Sequence, residues 1–180
     1  MEKELYGLYD RQIRLFGKDT QKSIEESHVV VVQGPPYIMA GEKRINDVGG
    51  EILKNLVLLG VRKITVNADV LVSFKKIFAN KIEKINEEVK VTTIDQEKDE
   101  EIWARCTQAI FIDMKMRTNC PSIYVCSRCM AFHPLDQEHV CREYDSVSVA
   151  HDCLLGAIIV QEWVKKLQKR SFVDEFRLEI

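Results

Sequence analysis

HVVVVQGPPYIMAGEKRINDVGGEILKNLVLLG, residues 28–60, decides how the rest of the chain is read. The run from His28 to Gln33 is rich in β-branched residues and reaches a glycine, the composition of a buried strand. From residue 48 to 59 the apolar Ile52, Leu53, Leu56, Val57 and Leu59 recur on one side of a 3.6-residue helix. Gly60 stands where a left-handed cap would end it. Strand, glycine and glycine-started helix follow in the order of a nucleotide-binding βα unit, whose helix-start N–H groups cradle phosphate. Here that turn is pried apart. The whole stretch Pro35 to Val48 separates Gly34 from Gly49, and Pro35 and Pro36 donate no N–H. Lys43 and Arg44 in this insertion are phosphate ligands in principle, but a charged surface loop is the plainer expectation.

Outward from this unit, "RKITVNA" reads as a second strand, Ser73 to Asn86 as a second helix, "VKVTTI" as a third strand and "QAIFID" as a fourth. This alternation predicts a Rossmann-like, mostly parallel α/β sheet with helices on both faces, because right-handed crossovers place them there. Ahead of the first strand, LYGLYDRQIRLFGKDTQKSIEES reads as two short helices broken by a glycine. Beyond Asp113, "SIYVCSRCMAF" reads as one or two strands and "EHVCREY" as a further one. A long helix then covers "SVAHDCLLGAIIVQEWVKKLQK", and "SFVDEFRLEI" is placed as an edge strand. Neither repeat nor linker interrupts residues 1–180, which are taken as one domain.

An apolar fraction of 46% provides a substantial core, and a net charge of −2 with mixed signs gives no field for nucleic acid or an anionic membrane. The apolar runs Val29 to Val32 and Leu154 to Val160 are too short to span a bilayer, and MEKELYGLYDRQIR has no apolar signal core. Nucleus or cytoplasm is the expected address. Six cysteines in such a chain read as reduced thiols or metal ligands rather than disulfides, with Cys106 and Cys120 structural. Cys126 and Cys129 form a CxxC, half of a tetrahedral zinc signature. The second half would be Cys141 with Cys153, His133 or His139. Trp103 and Trp163 stand at helical spacing among apolar residues, as core or interface anchors.

The stretch Tyr9-Asp10-Arg11-Gln12-Ile13-Arg14-Leu15-Phe16-Gly17 resembles the opening of the ubiquitin-like-modifier-activating enzymes and their ThiF/MoeB relatives. The likeness continues in "GGEILKNLVLLGV" and reappears in "LLGAIIVQEWVKKL", covering roughly half of the chain in the right order. In that family an adenylating half holding ATP sits beside a partner half that has lost the site. The opening here is especially like the non-catalytic chain of heterodimers such as the SUMO-activating enzyme. The resemblance implies a shortened ThiF/MoeB-type domain whose partner is a catalytic, cysteine-bearing subunit, with the modifier reached through the complex. It also implies that Arg11, with Arg14 a weaker candidate, reaches in trans to ATP phosphates. A guanidinium suits that role, being always charged and offering a planar fork to developing phosphate charge.

Against the family pattern, an adenylating half would end its second strand in a ribose-holding acid. Here Ala68 takes that place and Asp69 follows one step later. An adenylating half also carries a further aspartate for magnesium after "IFID", where this chain runs directly into MKMRTN. No ATP or magnesium is therefore expected on this chain, both belonging to the partner subunit. Relatives carry structural zinc on two CxxC pairs whereas partner halves look zinc-free, so no metal is expected, with Cys126, Cys129, Cys141 and Cys153 as the alternative ligand set. About forty residues connect Asp113 to Leu154, so the family's inserted helical region is nearly absent. Other readings remain open: the same role for another ubiquitin-like modifier, a homodimeric ThiF/MoeB-type adenylyltransferase, or a zinc-stabilised interaction module.

Overall fold

The computed structural model describes residues 2–39, 42–78, 81–94, 100–144 and 146–179. In chain order its elements are α1 (Glu2–Phe16), α2 (Lys18–Glu26), β1 (His28–Gln33), β2 (Tyr37–Met39), β3 (Glu42–Arg44), α3 (Val48–Leu59), β4 (Lys63–Val66), α4 (Ala68–Ile77), α5 (Ile82–Ile85), β5 (Lys90–Thr93), α6 (Glu100–Arg105), β6 (Gln108–Ile112), β7 (Ser122–Cys126), β8 (Ala131–Pro134), α7 (Val149–Leu167) and β9 (Phe176–Arg177). The main sheet runs β5-β4-β1-β6-β7-β8-β9. Its first five strands are parallel, and β8 and β9 are added antiparallel. This is the expected Rossmann-like α/β architecture, and the chain reverses direction across the sheet between β1 and β6, where such folds place a ligand crevice.

The alternation of β1 divides the core. Val29 and Val31 face a large cluster with Ile52, Leu53 and Leu56 of α3, Val70 and Phe74 of α4, and Leu155, Ile159 and Trp163 of α7. Val30 and Val32 face the other side, where Phe111 meets Trp103 of α6 at 5.7 Å between ring centroids. At about 25 cal/mol per Å² of apolar surface, each fully buried valine of β1 contributes roughly 1.5–3 kcal/mol, so the strand is held from both faces. Gly60 caps α3 at φ 86°, and a Cβ there would strike the Tyr9 ring, which is how α1 docks at the lower end of α3.

Several expected elements are corrected. The helix placed over Ser73 to Asn86 begins instead at Ala68 and ends at Ile77, with a separate turn at Ile82–Ile85; Ala79 and Asn80 lie outside the described residues. Asn67 in extended conformation precedes Ala68, and Asp69 sits in the helix's first turn, a start signal that outweighs continuation of the strand. "EHVCREY" forms no strand and is a loop. The insertion between Gly34 and Gly49 is not a free surface loop either: β2 and β3 pair as an antiparallel hairpin, Tyr37 opposite Arg44. Cys106 and Cys120 are joined in a disulfide across a Cα separation of 6.2 Å, where reduced thiols were expected. No helix among the described residues is long and apolar enough to cross a membrane.

Candidate functional site

Two polar clusters occupy the end of the sheet where the parallel strands terminate. The first surrounds the start of α3, where a nucleotide-binding protein leaves N–H groups free for phosphate. Here three N–H groups of the turn are bonded within the chain. Asp47 N–H donates to Asp152 Oδ2 at 2.9 Å, Val48 N–H to Asn46 Oδ1 at 3.3 Å, and Gly50 N–H to Ser73 Oγ at 3.0 Å. The Gln33 side chain fills the space a Cβ at Gly49 would need, and its amide donates to Asn46 O at 3.1 Å.

Across the switch point, Gly34 N–H donates to Ile112 O at 2.7 Å, so β1 and β6 stay zipped where a crevice would open. A Cβ at Gly34 would press within 2.9 Å of the Asp113 carbonyl, so only glycine fits. Asp113 itself, at φ 54°, accepts from Ser127 N–H at 2.8 Å, from the Ser127 hydroxyl at 2.5 Å and from Asn46 Nδ2 at 2.9 Å. Burial pushes its carboxyl up to about 6 against the Ser127 hydrogen bonds that hold it down. The strand-end position after β4 belongs to Asn67, not to Ala68 as the sequence reading had it. Its side chain accepts from Gln33 N–H at 3.1 Å and donates to Gln33 O at 2.8 Å, bridging β4 to β1.

The charges at this mouth are already balanced from within. Arg44 at the end of the hairpin reaches Asp152 Oδ2 at 2.6 Å and donates to Val147 O at 2.6 Å; Asp152 is fully buried. Lys76 of α4 pairs with Asp47 at 2.6 Å. Among the buried side-chain atoms of the described residues here, Gln33 Oε1, Asp47 Oδ1 and Asp152 Oδ1 have no hydrogen-bond partner, and all three are acceptors. A phosphate needs donors, so the leftover polarity has the wrong sign for it.

Arg11 and Arg14 lie far from this mouth. Gln12 Nε2 donates to Leu58 O at 2.9 Å, and Tyr9 OH accepts from Asn86 Nδ2 at 2.5 Å, fixing α1 against the far end of α3. At 1.5 Å per residue, Leu58 is about 14 Å along α3 from Gly49. Arg11 is exposed and joins no ion pair among the described residues, whereas Arg14 pairs with Asp10 at 2.8 Å.

The second cluster sits on the β7–β8 hairpin. Cys126, Cys129, His139 and Cys141 bring their ligand atoms within 4.8 Å of one another. Cys153 is not among them; it sits on α7 with its thiol against Glu51, correcting the alternative set in which it completed a zinc site. His139 takes its place. The Cys129 thiol, together with backbone N–H groups of Arg128 and Cys129, pulls Cys126 down to about 4, while Cys129 is itself raised as donor to that sulfur. Burial pushes Cys141 up to about 11. Three thiols so close disfavour one another's ionisation. The spacing C-x2-C, then H-x-C, was present in the sequence, but only the returning loop tells His139 from His133 and Cys153.

No family model matches the chain. A segment is 38% identical over 63 residues to the DNA damage tolerance protein rad31 of Schizosaccharomyces pombe, covering 35% of this chain and 17% of that protein. A segment of 58 residues is 40% identical to SUMO-activating enzyme subunit 1 of Danio rerio, covering 32% of this chain and 14% of that protein. The matches thus span less than a fifth of these relatives' length. Among solved structures, E. coli MccB with AMPCPP and MccA superposes at TM-score 0.62 and 13% identity, over 92% of this chain and 64% of that one. PaaA superposes at TM-score 0.61 and 15% identity, over 98% and 71%. At such identities the structures establish the fold alone. The chain thus shares the fold of these solved structures and, over about a third of its length, is similar to rad31 and to a SUMO-activating enzyme subunit.

Proposed function

We propose that this chain is the non-adenylating, regulatory half of a heterodimeric activating enzyme for a ubiquitin-like modifier, SUMO foremost. It holds neither ATP nor magnesium. A catalytic subunit bearing the ATP site and the active cysteine is its partner, and nucleus or cytoplasm its place of work. The observation that carries this reading is the start of α3, where protein acceptors take the N–H groups of Asp47, Val48 and Gly50 and the Gln33 side chain crowds Gly49. The relatives named for DNA damage tolerance and for SUMO activation supply the pathway. Arg11 supplies the trans contact. It is exposed on a helix anchored at the end of α3 remote from its own mouth, so its guanidinium serves a neighbour's site and not this chain's. The face of the sheet carrying Trp103, Met116 and Leu135 bears an open groove of about 1130 Å³, room for a subunit to add cover.

The test is ATP–pyrophosphate exchange by the reconstituted heterodimer. Arg11→Ala is expected to leave the dimer assembled and to slow exchange by roughly 10- to 1,000-fold, the range for loss of one group that stabilises transferring charge. Unchanged exchange removes Arg11 from the mechanism. Calorimetric binding of ATP by this chain alone at millimolar nucleotide would overturn the non-adenylating reading itself.

A further inference from the structure

We propose that Cys126, Cys129, His139 and Cys141 form a structural zinc site carried entirely by the β7–β8 hairpin and the loop that follows it. The inference stands independently of the proposed function. It also departs from the zinc pattern of relatives, which uses two CxxC pairs, because a histidine and a single cysteine from one loop complete this set.

The chain path builds the site. β7 ends in Cys126, and residues 127–130 turn the chain with Met130 at φ 50°, setting Ala131 opposite Cys126 as β8 begins. N–H groups of Arg128 and Cys129 point at the Cys126 sulfur, and that of Arg142 at Cys129, as in a knuckle that presents sulfur electrons outward. After Pro134 the loop returns over the hairpin and delivers His139 and Cys141. The Tyr144 N–H to Arg128 O bond at 3.2 Å and the Arg128–Glu143 ion pair at 2.6 Å fasten it there.

Two of the ligand–ligand distances match those around a tetrahedral ion, and all four ligand atoms lie within 4.8 Å of one another. Zinc–ligand bonds of about 2.3 Å to sulfur and about 2.05 Å to nitrogen put two sulfurs about 3.8 Å apart, and sulfur and nitrogen about 3.6 Å apart. Cys126 Sγ and Cys141 Sγ are 3.6 Å apart, and Cys129 Sγ and His139 Nε2 are 3.5 Å apart. The imidazole is oriented by its surroundings: it stacks on His133 at 5.0 Å and meets the Tyr124 ring edge at 5.1 Å. A disulfide would use two of the sulfurs and leave the third thiol and the imidazole converging on nothing. Three soft sulfur ligands and one imidazole select zinc among abundant ions.

The full chain, purified without chelator or added metal and together with its partner where the two co-purify, is analysed for metal by inductively coupled plasma mass spectrometry. One zinc per chain is expected, retained in Cys153→Ser. After chelation, added Co2+ is expected to give the visible absorption of a tetrahedral, thiolate-bound ion. His139→Ala should weaken Co2+ binding by at least the roughly 10- to 100-fold that loss of an outer-shell partner costs. Because a ligand variant that fails to fold also loses metal, the wild-type protein decides. Wild type that is metal-free with Cys126, Cys129 and Cys141 all open to alkylation overturns the site, as does a Cys126–Cys141 disulfide. Stoichiometric iron, or loss of zinc from Cys153→Ser, overturns the assignment equally.

Discussion

The mouth at α3 and the thiol hairpin lie at the same end of the sheet, and both are rich in electron pairs, yet they are finished differently. At the mouth the counter-charges are side chains of the chain itself, Arg44 on Asp152 and Lys76 on Asp47. At the hairpin four ligand atoms converge, and the nearby cation, Arg128, is turned to Glu143. The first region is closed by its own residues, and the second is the one for which a zinc ion is proposed. Buried polar groups can thus be satisfied from within in one region while a neighbouring loop gathers ligand atoms with no internal counter-charge among them.

The largest effect that sharpens this contrast should come from the internal counter-charge. Arg44→Met removes the guanidinium from a carboxylate with no exposure, and breaking such a pair costs about 3–5 kcal/mol because a charge stays buried without compensation. Burial already raises the Asp152 carboxyl, and Arg44 is among the groups that hold it down. Urea unfolding should show this loss, and Arg44→Met with Asp152→Leu should recover part of it. A single-variant loss below about 1 kcal/mol would mean that the hairpin does not tie the mouth shut.

A smaller effect probes the start of α3. In a phosphate turn a glycine lets the ligand approach, but here Gly50 lets α4 approach. A Cβ would lie 2.5 Å from Ser73 Oγ and 2.6 Å from Phe74 N, and the latter is backbone that cannot swing aside. Gly50→Ala should cost about 1–3 kcal/mol in a thermal or urea melt. A neutral result would place α4 further away and return the glycine to a ligand role.

The uneven legibility of these regions has physical causes. The periodicity of α3 and the cap at Gly60 were readable because both arise from local preferences. So was the mostly parallel sheet, since β-branched runs alternate with helical patterns. The β2–β3 hairpin was missed because Pro35, Pro36 and mixed charge look like a surface loop, while its stability comes from Arg44 reaching Asp152, 108 residues away. The helix starting at Ala68 was missed although Asn67 and Asp69 signal it, because the β-branched run before it was extended too far. At the thiol cluster the CxxC was evident. His139 was one of three candidates, and only the antiparallel return of β8 and its loop selects it.

The smallest expected effect separates the two arginines of α1. Arg14 and Arg11 stand three residues apart on the same side of the helix, yet Arg14 is engaged by Asp10 in an exposed i,i+4 pair. Such pairs contribute about 0.3–0.5 kcal/mol, so Arg14→Ala should shift the unfolding midpoint barely at all. Its charge is also partly neutralised by Asp10, and a neutralised guanidinium has less to offer a phosphate. In the heterodimer, exchange by Arg14→Ala should therefore stay within about twofold of wild type, since an exposed pair of this strength alters an equilibrium by no more than that. If Arg14→Ala instead slows exchange as much as Arg11→Ala, the Asp10 pair must open in the complex. The trans contact would then belong to the helix face that both arginines share, and not to Arg11 alone.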